Sequence, residues 1–276
     1  MKLLIPIQRI RDYIYRIMTR IYVIAAWTDD QLLWRIMGIQ LEVRGLEHLH
    51  PNRLYLVLAN HQSWADILIL QSLFSFKNHI PKFIAKKQVL CLPLVGLICW
   101  AYDYPIVKRH SKKELQARPD LRGKDRKALQ SSLKRFHQTP GSIVNFAEGT
   151  RYSWSKAKRF QSPYRFLLSP KIGGLFVILQ SMGEQLYEIL DLTLAYDCPK
   201  LSFWDFLSGK CRRVIVQAKH IDPDQSFKRA KHNLKNVSLN EVAEWIQRIW
   251  EKKDQKYLEL RSELNKDRLD RQTKQV

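Results

Sequence analysis

His61 and Asp66 stand five residues apart in Asn60-His61-Gln62-Ser63-Trp64-Ala65-Asp66. An aspartate in the first turns of a helix can reach back from that distance to one ring nitrogen of the histidine before it. A carboxylate there fixes the tautomer and stabilises the imidazolium, leaving the other nitrogen to take a proton from a hydroxyl. The pair reads as a general base with its orienter. It reads equally as a buried histidine bonded to a helix-capping aspartate, and in a chain with 8 histidines the pair alone does not separate the two. A second group, Asn145-Phe146-Ala147-Glu148-Gly149-Thr150-Arg151, suits an anion. Its Gly149-Thr150 turn is expected to expose backbone N–H groups, and the Arg151 fork matches phosphate oxygens. Glu148 cannot bind an anion and reads as holding the turn or Arg151 in place; a plain strand-to-loop turn with a surface ion pair is the alternative.

Both groups follow short apolar runs. Leu54–Ala59, Ser142–Phe146, Leu190–Tyr196 and Arg213–Gln217 are rich in β-formers and of strand length. Residues 64–75, 124–137, 170–182 and 240–262 read as helices, the last a charged helix with an apolar face. Alternating strands and helices predict an α/β fold with a largely parallel central sheet flanked by helices. His61 then falls at a strand end, the edge where such sheets bind ligands. Residues 41–276 read as one domain, with residues 111–125 a basic surface loop.

Residues 1–40 read as an N-terminal amphipathic, membrane-associating helical segment. Ile7, Ile10, Ile14, Ile17 and Ile21 recur at spacings of three and four, with Arg9, Arg16 and Arg20 on the opposite side. Such a stripe lies in a lipid interface, or packs on its own domain. The longest uncharged stretch, Gln88–Tyr102, has 15 residues, short of the roughly 20 that a spanning helix needs. No secretory signal is evident.

The net charge of +21 at a pI near 9.9 points to an anionic partner. It is concentrated: residues 1–20 carry +4, residues 108–135 carry +8, and Arg151–Lys171 holds six bases and no acid. The +8 stretch has almost no aromatic residues, so a nucleic-acid-binding face is not expected. Cys91, Cys99, Cys198 and Cys211 form no C-x-x-C pair and read as reduced thiols rather than a disulfide or metal site. G-x-S-x-G, H-E-x-x-H and Walker patterns are absent, which disfavours hydrolase readings.

In this order, His61-x₄-Asp66 and Phe146-x-Glu148-Gly149-Thr150-Arg151 resemble the 1-acylglycerol-3-phosphate acyltransferase family. Ile106-Val107-Lys108-Arg109 looks like the family's second block and Ser169-Pro170-Lys171-Ile172-Gly173-Gly174 like its fourth. Coverage runs from about Leu41 to Ala218. The long basic loop and the Trp64-Ala65-Asp66 ending are most similar to a bacterial inner-membrane subgroup. The resemblance implies transfer of an acyl group from acyl-CoA or acyl carrier protein to the free hydroxyl of a lysophospholipid, first of all 1-acylglycerol 3-phosphate to give phosphatidate, with His61 and Asp66 catalytic and no acyl-enzyme. It implies an acceptor site of Glu148, Gly149, Thr150 and Arg151, with Arg151 on the phosphate, Arg109 a second phosphate ligand and Lys86 an added charge. It implies no metal or organic cofactor, an acyl-chain path or lipid contact along Leu90–Trp100, and attachment to the cytoplasmic face of an inner membrane. Two departures stand out: Ala147 replaces the family's usual proline, and only the amphipathic segment precedes Trp34. Other lysophospholipids as acceptor, or a non-catalytic peripheral lipid-binding protein, are the alternatives.

Overall fold

The computed structural model describes residues 8–50, 53–75, 80–91, 96, 99, 104–107, 123–136, 141–198, 202–227 and 234–273. Leu54–Ala59 carries no charge and, with its alternate side chains facing opposite ways, can be buried on both sides. It forms β2 at the centre of a six-stranded sheet of order β1-β8-β7-β2-β6-β3, with β1 Gln40–Arg44, β3 Pro81–Phe83, β6 Gly141–Phe146, β7 Leu186–Tyr196 and β8 Arg213–Ile221. Strands β3, β6, β2 and β7 run parallel; β8 returns antiparallel to β7, and β1 lies parallel to β8. Two short strands, β4 Ala85–Lys86 and β5 Ile106–Val107, pair separately. The expected α/β class with a mostly parallel sheet is what the structure shows.

Alternate residues of β2 enter different cores. Tyr55, Val57 and Ala59 pack with Tyr22, Ala26 and Leu33 and with Ile69, Leu70 and Phe74 of α2 (Ala65–Ser75). Leu56 and Leu58 pack with Leu129 and Leu133 of α3 (Lys124–Phe136), with Leu175, Ile178 and Leu179 of α5 (Ile172–Met182), and with Trp245, Ile246 and Trp250 of α8 (Leu239–Thr273). Between α3 and α5 lies the short α4 (Trp154–Arg159); α6 (Phe203–Leu207) and α7 (Pro223–Ser226) follow β7 and β8.

Helix α1 spans Gln8–Asp30 and continues as a π-helical segment, Gln31–Ile36. Its buried positions, Tyr22, Ala26 and Asp30, recur every four residues and turn toward the domain. Of the isoleucine stripe, Ile17 and Ile21 are exposed, together with Tyr13, Ile24 and Trp27, and the side chains of Ile10 and Ile14 lie outside what is described. Ile7 lies outside the described residues, and no described helix is long and apolar enough to cross a membrane.

Cys198 and Cys211 are joined as a disulfide, which corrects the expectation of reduced thiols. The antiparallel β7–β8 ladder ends at Tyr196 opposite Val214, and just past it the two Cα atoms come to 5.3 Å. That pairing is invisible to residue spacing. Cys91 and Cys99 are free thiols.

Candidate active site

Register brings the two sequence groups together. Ala59, the last residue of β2, pairs with Phe146, the last of β6, so the residues beyond both leave the sheet side by side. Asn60 extends the strand by one rung with its side chain: its amide donates to the Leu194 carbonyl at 3.0 Å and accepts from the Leu194 N–H at 2.8 Å. The backbone can therefore turn away at His61 without orphaning its neighbour. The His61 N–H donates to Glu148 Oε1 at 3.0 Å, and the His61 carbonyl accepts from the Tyr152 N–H at 2.7 Å. The two loops are laced to each other across the sheet edge.

Asp66 occupies the first turn of α2, where Ser63-Trp64-Ala65-Asp66 has the spacing of a capping box. Its Oδ2 accepts from the backbone N–H of Gln62 at 2.7 Å and of Ser63 at 2.9 Å, and lies 2.8 Å from His61 Nδ1. Its Oδ1 accepts from the Tyr196 hydroxyl at 2.6 Å. Burial and the adjacent Asp66 push the Tyr196 hydroxyl well above its ordinary range, so it stays a donor. With three donors around it, the N–H groups of Gln62 and Ser63 and the Tyr196 hydroxyl, at a helix N-terminus, Asp66 is held as an acceptor. Nδ1 of His61 therefore carries the proton and Nε2 the lone pair. The ring stacks on Phe146, 4.1 Å between centroids at 17°, and is 14% exposed. Among the described residues nothing bonds to Nε2. The arrangement can accept a proton from an incoming hydroxyl.

Glu148 is not placed to touch a substrate. It is 1% exposed, and its two oxygens accept from the N–H groups of His61 and, at 2.8 Å, Leu168. Burial pushes its carboxyl up to about 8, against those donors and Lys253, which pull it down. It holds the turn, as one sequence reading expects, but it holds it to His61 rather than to Arg151. The Gly149 N–H is spent on the Phe146 carbonyl at 2.8 Å, closing a turn that requires a positive φ of 70° at Gly149. That amide is therefore not offered to an anion. Thr150 Oγ1 and the Arg151 carbonyl both accept from Lys156 Nζ, at 3.0 and 2.8 Å.

Arg151 is exposed, with its guanidinium carbon 5.1 Å from the centre of the Trp64 ring. Trp64 thus lends the first sequence group to the second as a platform for the cation. Among the described residues no carboxylate pairs with Arg151. Lys86 lies in β4 with its side chain outside the described residues, and Arg109 and most of Leu90–Trp100 also lie outside them. Sequence reasoning missed Asn60, Phe146 and Tyr196 as partners of the pair; only the parallel register places them there. Among the described residues one cluster, Asp197, Cys198 and Cys211, has three metal-ligand atoms close together, and its two sulfurs form the disulfide.

Residues 40–187 match the family model described as Acyltransferase. The chain is 25% identical over 249 residues to mouse 1-acyl-sn-glycerol-3-phosphate acyltransferase epsilon, covering 80% of this chain and 62% of that protein. It is 23% identical to Saccharomyces cerevisiae 2-acyl-1-lysophosphatidylinositol acyltransferase, covering 76% of this chain and 62% of that protein. The chain therefore spans less than two thirds of the length of these relatives. The crystal structure of the 1-acyl-sn-glycerophosphate acyltransferase PlsC from Thermotoga maritima shares the fold, with a TM-score of 0.52 at 15% identity over 92% of this chain and 85% of that one.

Proposed function

Because the chain belongs to the acyltransferase family, and the matched segment holds both His61 and Arg151, we propose that it transfers an acyl group from a thioester to the free hydroxyl of a lysophospholipid. The acceptor is 1-acylglycerol 3-phosphate, the product is phosphatidate, and the donor is acyl-CoA or acyl carrier protein. The observation that carries this reading is the His61–Asp66 contact of 2.8 Å, which leaves Nε2 as the lone-pair nitrogen of a partly exposed ring. Nε2 takes the hydroxyl proton as the oxygen attacks the thioester carbonyl. The tetrahedral intermediate collapses with rupture of the C–S bond, and the imidazolium returns the proton to the departing thiolate. The acyl group never rests on the enzyme, and the reading calls for no metal or organic cofactor.

Arg151 binds the acceptor phosphate from its seat on Trp64. Replacing it by lysine keeps the charge and loses the planar fork and the stacking. Arg151→Lys is expected to raise acceptor KM several-fold with a smaller change in kcat; an unchanged KM in steady-state kinetics places the phosphate elsewhere.

A second acceptor reading draws on the yeast relative, whose name specifies a lysophosphatidylinositol. Its phosphodiester would use the same arginine. The deciding experiment is acyl transfer by purified protein with labelled acyl-CoA and each lysophospholipid in turn, then with an acyl-carrier-protein donor. Product from lysophosphatidate at the highest kcat/KM supports the first reading. Product from lysophosphatidylinositol supports the second, and none across the panel makes the protein a lipid binder.

The protein works attached to the cytoplasmic face of a membrane through α1, whose outward residues include Ile21 (53% exposed), Ile24 (64%) and Trp27 (61%). An apolar helix face near a strongly basic segment suits anionic lipid. Replacing Ile21, Ile24 and Trp27 together by serine is expected to release the protein from anionic vesicles in a flotation assay; retention assigns the anchor to another surface.

A further inference from the structure

The parallel strands β2, β6 and β7 all finish at the end of the sheet that carries His61, and the chain beyond each of them holds an exposed tryptophan. These are Trp64 after β2 (40% exposed), Trp154 after β6 (72%) and Trp204 after β7 (76%). Among the described residues Trp27 of α1 is the one other exposed tryptophan. Phe160, the residue that caps α4, joins them at 50% exposed. Single exposed apolar side chains are ordinary, but four large rings at one end of a sheet mark a surface made for contact. Strand β1 begins at the same end, since Gln40 pairs with Arg213, the first residue of β8. The segment that brings α1 to the domain, with Ile36 76% exposed, therefore arrives there too.

The rings are held in place by structure around them. No residue of α4 is buried. Polar bonds tie the helix to the site instead: Lys156 Nζ donates to Thr150 Oγ1 and the Arg151 carbonyl, and the Tyr152 N–H donates to the His61 carbonyl. The end of α4 is closed by the N–H of Gln161 on the Lys158 carbonyl at 3.2 Å and of Ser162 on the Ala157 carbonyl at 3.0 Å. That turn puts Gln161 at a φ of 48°, a left-handed conformation that usually falls to glycine, and fixes the backbone from which Phe160 projects. Trp204 sits on α6, within the loop closed by the Cys198–Cys211 disulfide.

The charge beside these rings is one-sided. Lys158 Nζ lies 5.6 Å from the centre of the Trp154 ring, and the guanidinium carbon of Arg159 lies 5.8 Å from that of Phe160. Both cations are exposed, and no acid occurs from Arg151 to Lys171. A ring with a cation at its face suits a bilayer interface, where the ring meets the boundary of headgroups and chains and the cation meets phosphate. At the opposite end of the sheet the exposed ring of Tyr187, at the start of β7, packs against His50 and Tyr55.

We propose that the His61 end of the sheet is a second membrane-docking surface, with Trp154, Phe160 and Trp204 seated in the headgroup layer of an anionic bilayer and Lys158 and Arg159 on its phosphates. Helix α1 then tethers the chain, and this surface orients it so that the site opens onto lipid. A purely polyanionic partner would meet the cations and leave three large rings uncovered, whereas an anionic bilayer meets both. That the acceptor passes from the bilayer directly to His61 rests on the acyl-transfer reading; the docking does not.

The first test mixes the full chain with vesicles of phosphatidylcholine and phosphatidylglycerol whose acyl chains carry bromine, which quenches tryptophan only at close approach. The emission lost on replacing Trp154 and Trp204 together by phenylalanine reports those two rings. That difference is expected to fall when brominated vesicles are added; a difference that does not fall leaves both rings in water and overturns the proposal. No turnover is needed, so the result stands even if no acceptor is acylated. The second test replaces Trp154, Phe160 and Trp204 together by serine, with Trp64 left as the seat of Arg151. All three are exposed, so the fold is expected to be kept. Partition into anionic vesicles is expected to drop roughly tenfold or more with α1 intact. With long-chain lysophosphatidate in vesicles kcat/KM is expected to drop by a similar factor, while a short-chain, monomerically dissolved lysophosphatidate is acylated as by the wild type. Equal loss on both acceptors would make the rings part of the site, and no loss on either would leave them idle; each overturns the proposal. So would a loss confined to the acyl-carrier-protein donor, which makes the surface a protein dock, or wild-type dimers that the variant abolishes, which make it an interface between copies.

Discussion

His61→Ala is expected to lower the rate of acyl transfer by about 10²–10⁴, the worth of a positioned general base, or roughly 3–5 kcal/mol of barrier at about 1.4 kcal/mol per decade. The protein should remain folded. His61 is tied into the structure mainly by its backbone, through the N–H on Glu148 and the carbonyl under Tyr152, and alanine keeps both bonds. Asp66 loses its imidazole partner yet keeps the N–H donors of Gln62 and Ser63 and the Tyr196 hydroxyl, so no buried carboxylate is orphaned. The lost contact with Phe146 is at a partly exposed ring. Thermal unfolding alongside the labelled-acyl assay checks both statements. A variant that unfolds like the wild type and transfers acyl groups at near-normal rate would remove His61 from the chemistry.

What was legible in the residues follows from where the polar groups point. Leu54–Ala59 was readable to the residue because a strand buried on both faces carries an unbroken apolar run. In contrast, β7 begins at Leu186 rather than at the expected Leu190, since the charged Glu188 near its start, half-buried and paired with His220 on β8, interrupts the apolar run. Polar residues likewise hid the far end of β8, where Lys219 and His220 carry the strand past Gln217 to Ile221. Strands β1, β3, β4 and β5 have five residues or fewer, and β1 mixes Gln40, Glu42 and Arg44 into its run. Too few apolar positions remain for a period to show.

The site divides along a similar line. Residue types and spacing within one segment exposed the His61–Asp66 pair, because both members sit on a single strand-turn-helix unit. Partners contributed by other segments left no local trace. Phe146 under the imidazole and Tyr196 on the far carboxylate oxygen are neighbours of the pair only through the β2–β6 and β2–β7 registers. Glu148 was legible from its motif as a residue that holds the turn; that it holds the turn to His61 and not to Arg151 was not, because Arg151 beside it is exposed while its own side chain turns in.

Asp66→Asn separates an orienting aspartate from one that also contributes charge. The amide has one orientation that fits: its oxygen must take the position facing His61 Nδ1 and the N–H groups of Gln62 and Ser63, because an NH₂ there would meet three donors. Its nitrogen then faces the Tyr196 oxygen, which can accept. The histidine tautomer is preserved and only the charge is removed, at a cost to folding of about 1 kcal/mol for the displaced tyrosine proton. An opposite charge some 4 Å away is worth about 4 kcal/mol at an effective dielectric near 20. Losing it from the imidazolium formed in the transition state corresponds to a fall in kcat of roughly 10²–10³ with KM little changed. Combined with His61→Ala, the substitution should add almost nothing, since the charge acts only through the ring. A folded Asp66→Asn protein with wild-type kcat would reduce Asp66 to the cap of α2. An additive double variant would mean that the carboxylate acts on the reaction by a route other than His61.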